Sequence, residues 1–328
     1  MINNHMTAVL VTGCAGFIGS HCTQALLKNG YQVIGVDNLN DYYSPAWKKQ
    51  NLKEFEDEDN FTFNQLDITD QESLKEEVFK KAAESGSGID KVLHMAARAG
   101  VRCSIEQPQL YQQVNVGGTL NLLELARDYQ VPQFVFASSS SVYGNQKKIP
   151  FSESDPVNQP ISPYAATKKA AEMLCHTYAY LYNIQITCLR FFTVYGPAGR
   201  PDMAPYLFTE AIFKKNPLKK FGDGTSRRDY TYIDDIVQGV IAALERPFEF
   251  EIINLGNNQP VSLNQFLDLL QEIIGKQAVI KQVPMQAGDV KQTYADISKA
   301  EDLLGFKPKT GFKEGLTKFV SWYQRERS

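Results

Sequence analysis

The sequence predicts an α/β fold built on a doubly wound parallel sheet, and three observations carry that prediction. Short β-branched runs alternate with segments of helical period through the first ~190 residues. Gly13, Gly16 and Gly19 stand three apart between the first run and the first helical segment. After Gly196 the pattern loosens, where Pro197, Gly199, Pro201 and Pro205 break the chain. A strand-then-helix rhythm implies right-handed crossovers with helices on both faces of one sheet.

The elements follow in order. Ala8–Thr12 reads as a strand, and a helix from about Ser20 to Asn29 stops at Gly30, a residue suited to end a helix. Strands are expected at Tyr31–Val36, Phe61–Leu66, Lys91–Met95, Gln133–Ser139 and Gln185–Phe192, and helices at Glu72–Glu84, Leu110–Tyr129 and Tyr164–Tyr182. Two late helices have clear ends: Leu263–Ile274, with Ser262 before it and Gly275 after it, and Ser298–Leu304, stopped by Gly305. The acidic run Glu54–Asp59 reads as a solvated loop. The expected division is a nucleotide-binding domain at 1–190 and a smaller C-terminal substrate-binding lobe at 191–328, with a segment near 229–256 returning to the first domain.

Composition narrows the classes. The chain has 328 residues, 43% hydrophobic and 22% charged, so a sizeable core is expected and disorder is excluded. Lys and Arg number 34 against 37 Asp and Glu, a net charge of −3, without the basic excess of a general nucleic-acid binder. Five scattered cysteines form no CxxC pair and read as reduced thiols of a cytoplasmic protein. The apolar runs Phe134–Ala137 and Ile236–Leu244 fall short of the ~18 residues of a membrane span, and the polar start at Met1–Met6 suggests no signal peptide. The four histidines form no ligand set, so no metal is expected, and His94 reads as a packed or backbone-bonded side chain.

The glycine spacing carries the first chemistry. Gly13 permits a tight turn, Gly16 a close approach of backbone to a pyrophosphate, and Gly19 close packing of helix on sheet. The helix that follows offers its N-terminal N–H groups to phosphate. Asp37 ends the next strand 18 residues after Gly19, where an acid binds ribose hydroxyls and repels a 2′-phosphate, favouring NAD over NADP. This is the Rossmann-type arrangement. Cys14, inside the loop, has no partner base and reads as a small filler.

The second set is Tyr164-Ala-Ala-Thr-Lys168, which places phenol and ammonium on one helix face. A phenol is a poor base at neutral pH, and a neighbouring ammonium favours its phenolate. Ser138–Ser141 ends a strand that should finish beside this pair, so a serine hydroxyl can share the substrate proton. Arg200, in a Gly/Pro-rich loop, offers a bidentate fork to a carboxylate.

Together, Thr12-Gly-x-x-Gly-x-x-Gly19, His94–Ala97, Asn115, the serine run and Tyr164-x-x-x-Lys168 resemble the extended short-chain dehydrogenase/reductase family over essentially the whole chain. The stretches Ala96-Ala-Arg-Ala-Gly-Val-Arg102 and Tyr195-Gly-Pro-Ala-Gly-Arg-Pro-Asp-Met-Ala204 are similar to those of NAD-dependent UDP-glucuronate 4-epimerases. The resemblance implies Tyr164 as base, Lys168 on the nicotinamide ribose and the tyrosine, and Ser139 on the reacting hydroxyl. It implies NAD contacts from Gly13, Gly16, Phe17, Ile18, Gly19, Asp37, Asn38, Asp67, Ile68, Ala96, Ala97 and Asn115. Substrate contacts would come from Ser139, Ser140, Ser141, Arg102, Thr193, Arg200, Arg228 and Asp289, with Phe221 near the uracil. A homodimer through helices such as 110–129 and 164–182 is also implied.

Two departures bear on the reaction. Related dehydratases carry Asp-Glu after the Ser/Thr, where this chain has Ser140 and Ser141, so dehydration lacks its proton-transfer acids. Some UDP-hexose epimerases have an Arg where this chain has Gln286, which leaves phosphate contact chiefly to Arg228, with Arg227 beside it as a second candidate. The expected activity is 4-epimerisation of UDP-glucuronate to UDP-galacturonate through a 4-keto sugar. The alternatives are a 4-epimerase of neutral UDP-hexoses, another nucleotide-sugar decarboxylase, dehydratase or reductase, or a non-catalytic NAD-binding sensor or scaffold.

Overall fold

The computed structural model describes residues 6–86, 88–284 and 290–327. Two compact units are present: 1–144 with 156–190 and 237–253, and 145–155 with 191–236 and 254–328.

The first unit is built on a seven-stranded sheet. In chain order its strands are β1 (Ala8–Thr12), β2 (Gln32–Val36), β3 (Phe61–Asn64), β4 (Lys91–His94), β5 (Gln133–Ser139), β6 (Gln185–Phe191) and, at the far edge, β10 (Phe250–Leu255). They lie in the order β10-β6-β5-β4-β1-β2-β3. The pairs from β3 through β2, β1 and β4 to β5 are parallel, with Val11 opposite Gly35 and Leu93. The order therefore reverses between β1 and β4, and a crevice at the carboxyl ends of such strands is where open sheets bind ligands. All five residues of β1 and all seven of β5 are buried, the continuous apolar run of a strand covered on both faces.

The helices depart from expectation in two instructive places. The first spans Phe17–Lys28, three residues earlier than expected, because Gly16 serves as its extended N-cap. The segment expected as one helix over 110–129 contains a π-helical stretch, Gln112–Gly118, between Pro108–Tyr111 and Thr119–Asp128. Here Gly118 lies flat on Ile68: a Cβ would sit 2.6 Å from the Ile68 Cδ1. Such inserted turns re-aim side chains and often mark functional positions. The acidic run 54–59 is exposed apart from Phe55, which is buried edge-on against Phe61.

The second unit holds β7 (Thr193–Tyr195), β9 (Arg227–Tyr232) and β11 (Pro260–Ser262) in one small sheet, and β8 (Pro217–Phe221) with β12 (Val279–Val283) in another. The helix Leu263–Ile274 begins and ends as expected. The Ser262 hydroxyl accepts from the Gln265 N–H, Gln265 reaches back to the Ser262 backbone, and Gly275 closes the end at φ +70°. The helix Ser298–Leu304 is also met residue for residue, with Gly305 at φ +67°.

Candidate active site

The glycine loop follows from sterics. Gly13 takes φ +72°, its N–H donates to the Val36 carbonyl at 2.7 Å, and a Cβ there would come within 2.8 Å of the Ala96 nitrogen. At Gly19 a Cβ would fall 2.0 Å from the Gly13 carbonyl oxygen. Its bareness thus lets the first turn of the helix lie directly on the backbone that leaves β1. The helix carrying Phe17 and Ile18 has no side-chain cap and no acid in its first turn, so its leading N–H groups and partial positive charge remain suited to an anion. Cys14 is a buried filler, its Sγ 2.8 Å from where a Cβ on Gly35 would lie.

Asp37 is buried at the end of β2. Its Oδ1 accepts from the Leu39 N–H at 2.8 Å and its Oδ2 from the Ala15 N–H at 3.2 Å. Burial pushes its pKa up, and Lys48 and the two N–H groups oppose that rise. Asn38 donates to Asp67 Oδ2 at 2.6 Å, while Asp67 Oδ1 accepts from the backbone and hydroxyl of Thr69. Burial raises the Asp67 pKa, but these hydrogen bonds outweigh it and the net shift is downward. A glycine cradle, an uncapped helix N-terminus and a buried carboxylate fit a dinucleotide such as NAD. Asn115, inside the π-helical stretch, accepts from the Arg98 N–H and donates to the Arg98 carbonyl and to Thr167 Oγ1, which in turn donates to the Tyr164 carbonyl. It therefore ties the segment after Ala96 and Ala97 to the tyrosine-bearing helix.

That helix, Pro163–Tyr182, starts where the Ser162 hydroxyl accepts from the Ala165 N–H, with Pro163 at its first position. Tyr164 lies in its first turn, with its ring edge-on to Tyr111 at 6.3 Å between centroids. Lys168, one turn later, is 3% exposed. Its Nζ donates to the Ala137 carbonyl at 2.7 Å and lies 4.8 Å from the Phe136 ring centroid. Burial brings its pKa down to about 8. The structure thus brings the ammonium to the end of β5, where Ser139 follows. The Ser139 hydroxyl donates to Ser141 Oγ and accepts from the Ser141 N–H, both at 3.1 Å. Ser140 and Ser141 are partly buried and offer hydroxyls only.

His94 is held by side-chain hydroxyls and by no backbone group. Its Nδ1 lies 2.7 Å from Thr12 Oγ1 and its Nε2 2.9 Å from Thr119 Oγ1, whose own proton goes to the Asn115 carbonyl. The Nε2–H tautomer satisfies this chain. Burial, then the Lys168 charge, lowers the His94 pKa to about 3, so it stays neutral and structural.

In the second unit Arg200 is engaged by Asp202, Nε to Oδ1 at 2.9 Å and Nη2 to Oδ2 at 2.5 Å. Its loop turns tightly at Gly196, φ +151°, where a Cβ would meet Ile233 Cγ2 at 2.4 Å. Thr193 pairs with Tyr230 at the start of β7, and Arg228 Nη1 donates to the Arg227 carbonyl. Asp289 and Gln286 lie outside the described residues, and Arg102 is exposed on the short helix Val101–Glu106. Sequence reasoning missed Asp229, a fully buried carboxylate that accepts from the N–H groups of Asn257, Asn258 and Ala295; burial pushes its pKa up to about 6. It also missed Lys48 and the buried pair Glu172–Arg190. For Glu172 a signal existed, since it continues the four-residue spacing of Tyr164 and Lys168.

The chain is 50% identical over 314 residues to a UDP-glucuronate 4-epimerase of Thermodesulfobacterium geofontis, covering 95% of each. A crystal structure of the Bacillus cereus UDP-glucuronic acid 4-epimerase, in complex with UDP-glucuronic acid and NAD, superposes with a TM-score of 0.89 at 38% identity, covering 97% of this chain and 99% of that one. The UDP-glucose 4-epimerase of Thermotoga maritima, solved with UDP-glucose, follows at 0.87 and 35%, covering 98% and 100%. The family model described as GDP-mannose 4,6 dehydratase matches residues 10–319, from within β1 to the C-terminal helix. Glycine loop, buried acid and tyrosine–lysine helix all fall inside that span, and the chain belongs to this family.

Proposed function

We propose that this chain is an NAD-dependent UDP-glucuronate 4-epimerase that interconverts UDP-glucuronate and UDP-galacturonate. The observation that carries the reading is the Lys168 ammonium seated at the end of β5, 2.7 Å from the Ala137 carbonyl, with serines and no acid at positions 140 and 141. Although the family model is described by a dehydratase, elimination needs a proton-transferring acid, and Ser140 and Ser141 are not acids at neutral pH. Epimerisation asks only for hydrogen bonds there.

Bound NAD supplies the reversible hydride acceptor that carries the sugar C4 through a ketone. Tyr164 takes the proton of the 4-hydroxyl and later returns it. Lys168 stays largely cationic below about pH 8 and favours the phenolate by its charge. Ser139 hydrogen-bonds the reacting oxygen. Ser140, Ser141 and Arg200 hold the substrate carboxylate, so that its C–C bond does not align with the carbonyl π-system and CO₂ is retained. Residues 1–190 serve NAD and the base, and 191–328 mainly serve the UDP-sugar, Arg228 and Asp289 gripping the diphosphate and ribose.

A homodimer is part of the same reading. Met173, Tyr180 and Leu181 are 61%, 77% and 56% exposed on the 163–182 helix, and Leu120 is exposed on 119–128, apolar side chains that a second copy would cover. No helix of the described residues is long and apolar enough to cross a membrane. Free cysteines, four of them buried, fit a cytoplasmic setting.

One observation favours a second reading: with Arg200 already held by Asp202, a neutral UDP-hexose is also a candidate. The experiment is to incubate the protein with UDP-glucuronate and with UDP-glucose and follow the products by NMR. UDP-galacturonate from the first is expected. UDP-pentose with CO₂, or turnover of UDP-glucose alone, overturns the proposal, as does turnover that survives Tyr164→Phe.

A further inference from the structure

We propose that the buried Glu172–Arg190 pair is a positioning device for the reaction, fixing the serine segment 139–141 against the helix that carries Tyr164 and Lys168. This rests on the reading above that Tyr164 and Ser139 carry the chemistry. Arg190 on β6 and Glu172 on the 163–182 helix are each 1% exposed and meet as a fork, Nε to Oε1 and Nη2 to Oε2, both at 2.8 Å. Stability alone does not account for such a pair, because two charges lose their hydration on burial and apolar residues of similar volume often serve as well.

What sets this pair apart is where its remaining valences go. Glu172 Oε1 accepts from the Ser138 hydroxyl at 2.6 Å, and Arg190 Nη1 donates to the Tyr143 hydroxyl at 3.0 Å. The guanidinium carbon also lies 4.8 Å from the Tyr143 ring centroid, and Lys169 Nζ approaches Glu172 Oε2 at 3.3 Å. Ser138 and Tyr143 bracket Ser139–Ser141, which run into a single 3-10 turn, Ser140–Tyr143, closed by Gly144 at φ +61°. Both ends of the hydroxyl-bearing segment are therefore anchored to one rigid ion pair. Its acid sits two helical turns beyond Tyr164 on the face shared with Lys168, since residues four apart stack on one side of a helix. The same carboxylate helps to keep the Lys168 ammonium charged. A serine segment free to drift by a fraction of an ångström would lose the alignment on which proton sharing depends.

Ser138→Ala and Tyr143→Phe each cut one tie and leave the ion pair in place, so folding should survive even where Glu172→Gln does not. The expected result with UDP-glucuronate is a fall in kcat of about tenfold or more for each, with KM and the NAD dissociation constant within about twofold of the parent. Unchanged kcat in both variants overturns the proposal, and so does a rise in KM at constant kcat. Tyr164→Phe run alongside separates the two levels. If it remains active, the reading of the site has failed; if it is inactive while both tie variants match the parent, only the positioning role has failed.

Discussion

Lys48 Nζ lies 3.9 Å from Asp37 Oδ1, and the two side chains are 6% and 7% exposed. The carboxylate we propose for the adenosine ribose is therefore one half of a buried ion pair. Its charge is maintained by an amine on the helix Pro45–Lys53 as well as by two backbone N–H groups. Asp37→Asn removes a charge-assisted acceptor worth about 1.5–3 kcal/mol, so NAD affinity should fall about ten- to a hundredfold. Lys48 then loses its partner, and a 2′-phosphate meets a cation in place of an anion, so NADP affinity should rise. Fluorescence titration with both dinucleotides checks this; an unchanged NAD/NADP ratio would remove Asp37 from cofactor selection.

What the sequence made legible was local chemistry. The glycine spacing, the acid at the end of β2, and the tyrosine and lysine one turn apart are short-range patterns, and the ends of Leu263–Ile274 followed from a serine cap and a stop glycine. Lys48 was hidden because nothing local in the polar run Lys48-Lys49-Gln50 marks one residue off from its neighbours. Only the fold turns Lys48 inward. Glu172 and Arg190 belong to different elements, and no spacing rule joins a helix to the strand that follows it. The π-helical stretch at Gln112–Gly118 was missed for a related reason: it ends at Gly118, which packs on Ile68, fifty residues away in the chain.

Lys168→Met separates stability from function. With its folded pKa near 8 and its unfolded value near 10.5, the ammonium is disfavoured by burial. Between those values the unfolded chain binds the extra proton, so stability gained from this group appears as pH rises through that window and is absent at neutral pH. Methionine should leave Tm at pH 7 equal to the parent or above it while turnover falls at least about a hundredfold. The stability advantage should shrink above pH 8. A variant that is both inactive and several degrees less stable at pH 7 would show that the Ala137 hydrogen bond outweighs the burial cost.

His94 gives a pH dependence of known sign. Its folded pKa near 3 lies below the unfolded 6.5, so as pH falls through 6.5 the unfolded chain gains a proton that the native chain refuses. Stability present above pH 6.5 is thus lost progressively toward pH 3. Between pH 7 and pH 5 this amounts to about 2 kcal/mol. Asp229, raised to about 6, acts in the opposite direction over part of the range. It does so equally in a His94→Gln variant, so the difference isolates the histidine. Urea unfolding should show the parent losing more stability on acidification than His94→Gln; parallel curves would refute the neutral, sealed histidine.

In the proposed site Arg200 reads the substrate carboxylate, and Asp202 competes for it. Their pair is 21% and 38% exposed, so it contributes at most about 1 kcal/mol, whereas hydrogen bonds from the guanidinium to a substrate carboxylate are worth about 1.5–3 kcal/mol. The carboxylate of UDP-glucuronate can therefore displace Asp202 and keep a net gain. Arg200→Ala should raise KM for UDP-glucuronate about ten- to a hundredfold and leave the binding of UDP-glucose within about twofold. Asp202→Asn should act in the opposite sense, tightening UDP-glucuronate by up to about fivefold because the fork is released from its internal partner. Steady-state kinetics on the acidic sugar and competition by the neutral one read both effects. Equal losses for the two sugars in Arg200→Ala would mean that the guanidinium shapes its loop and does not read the carboxylate.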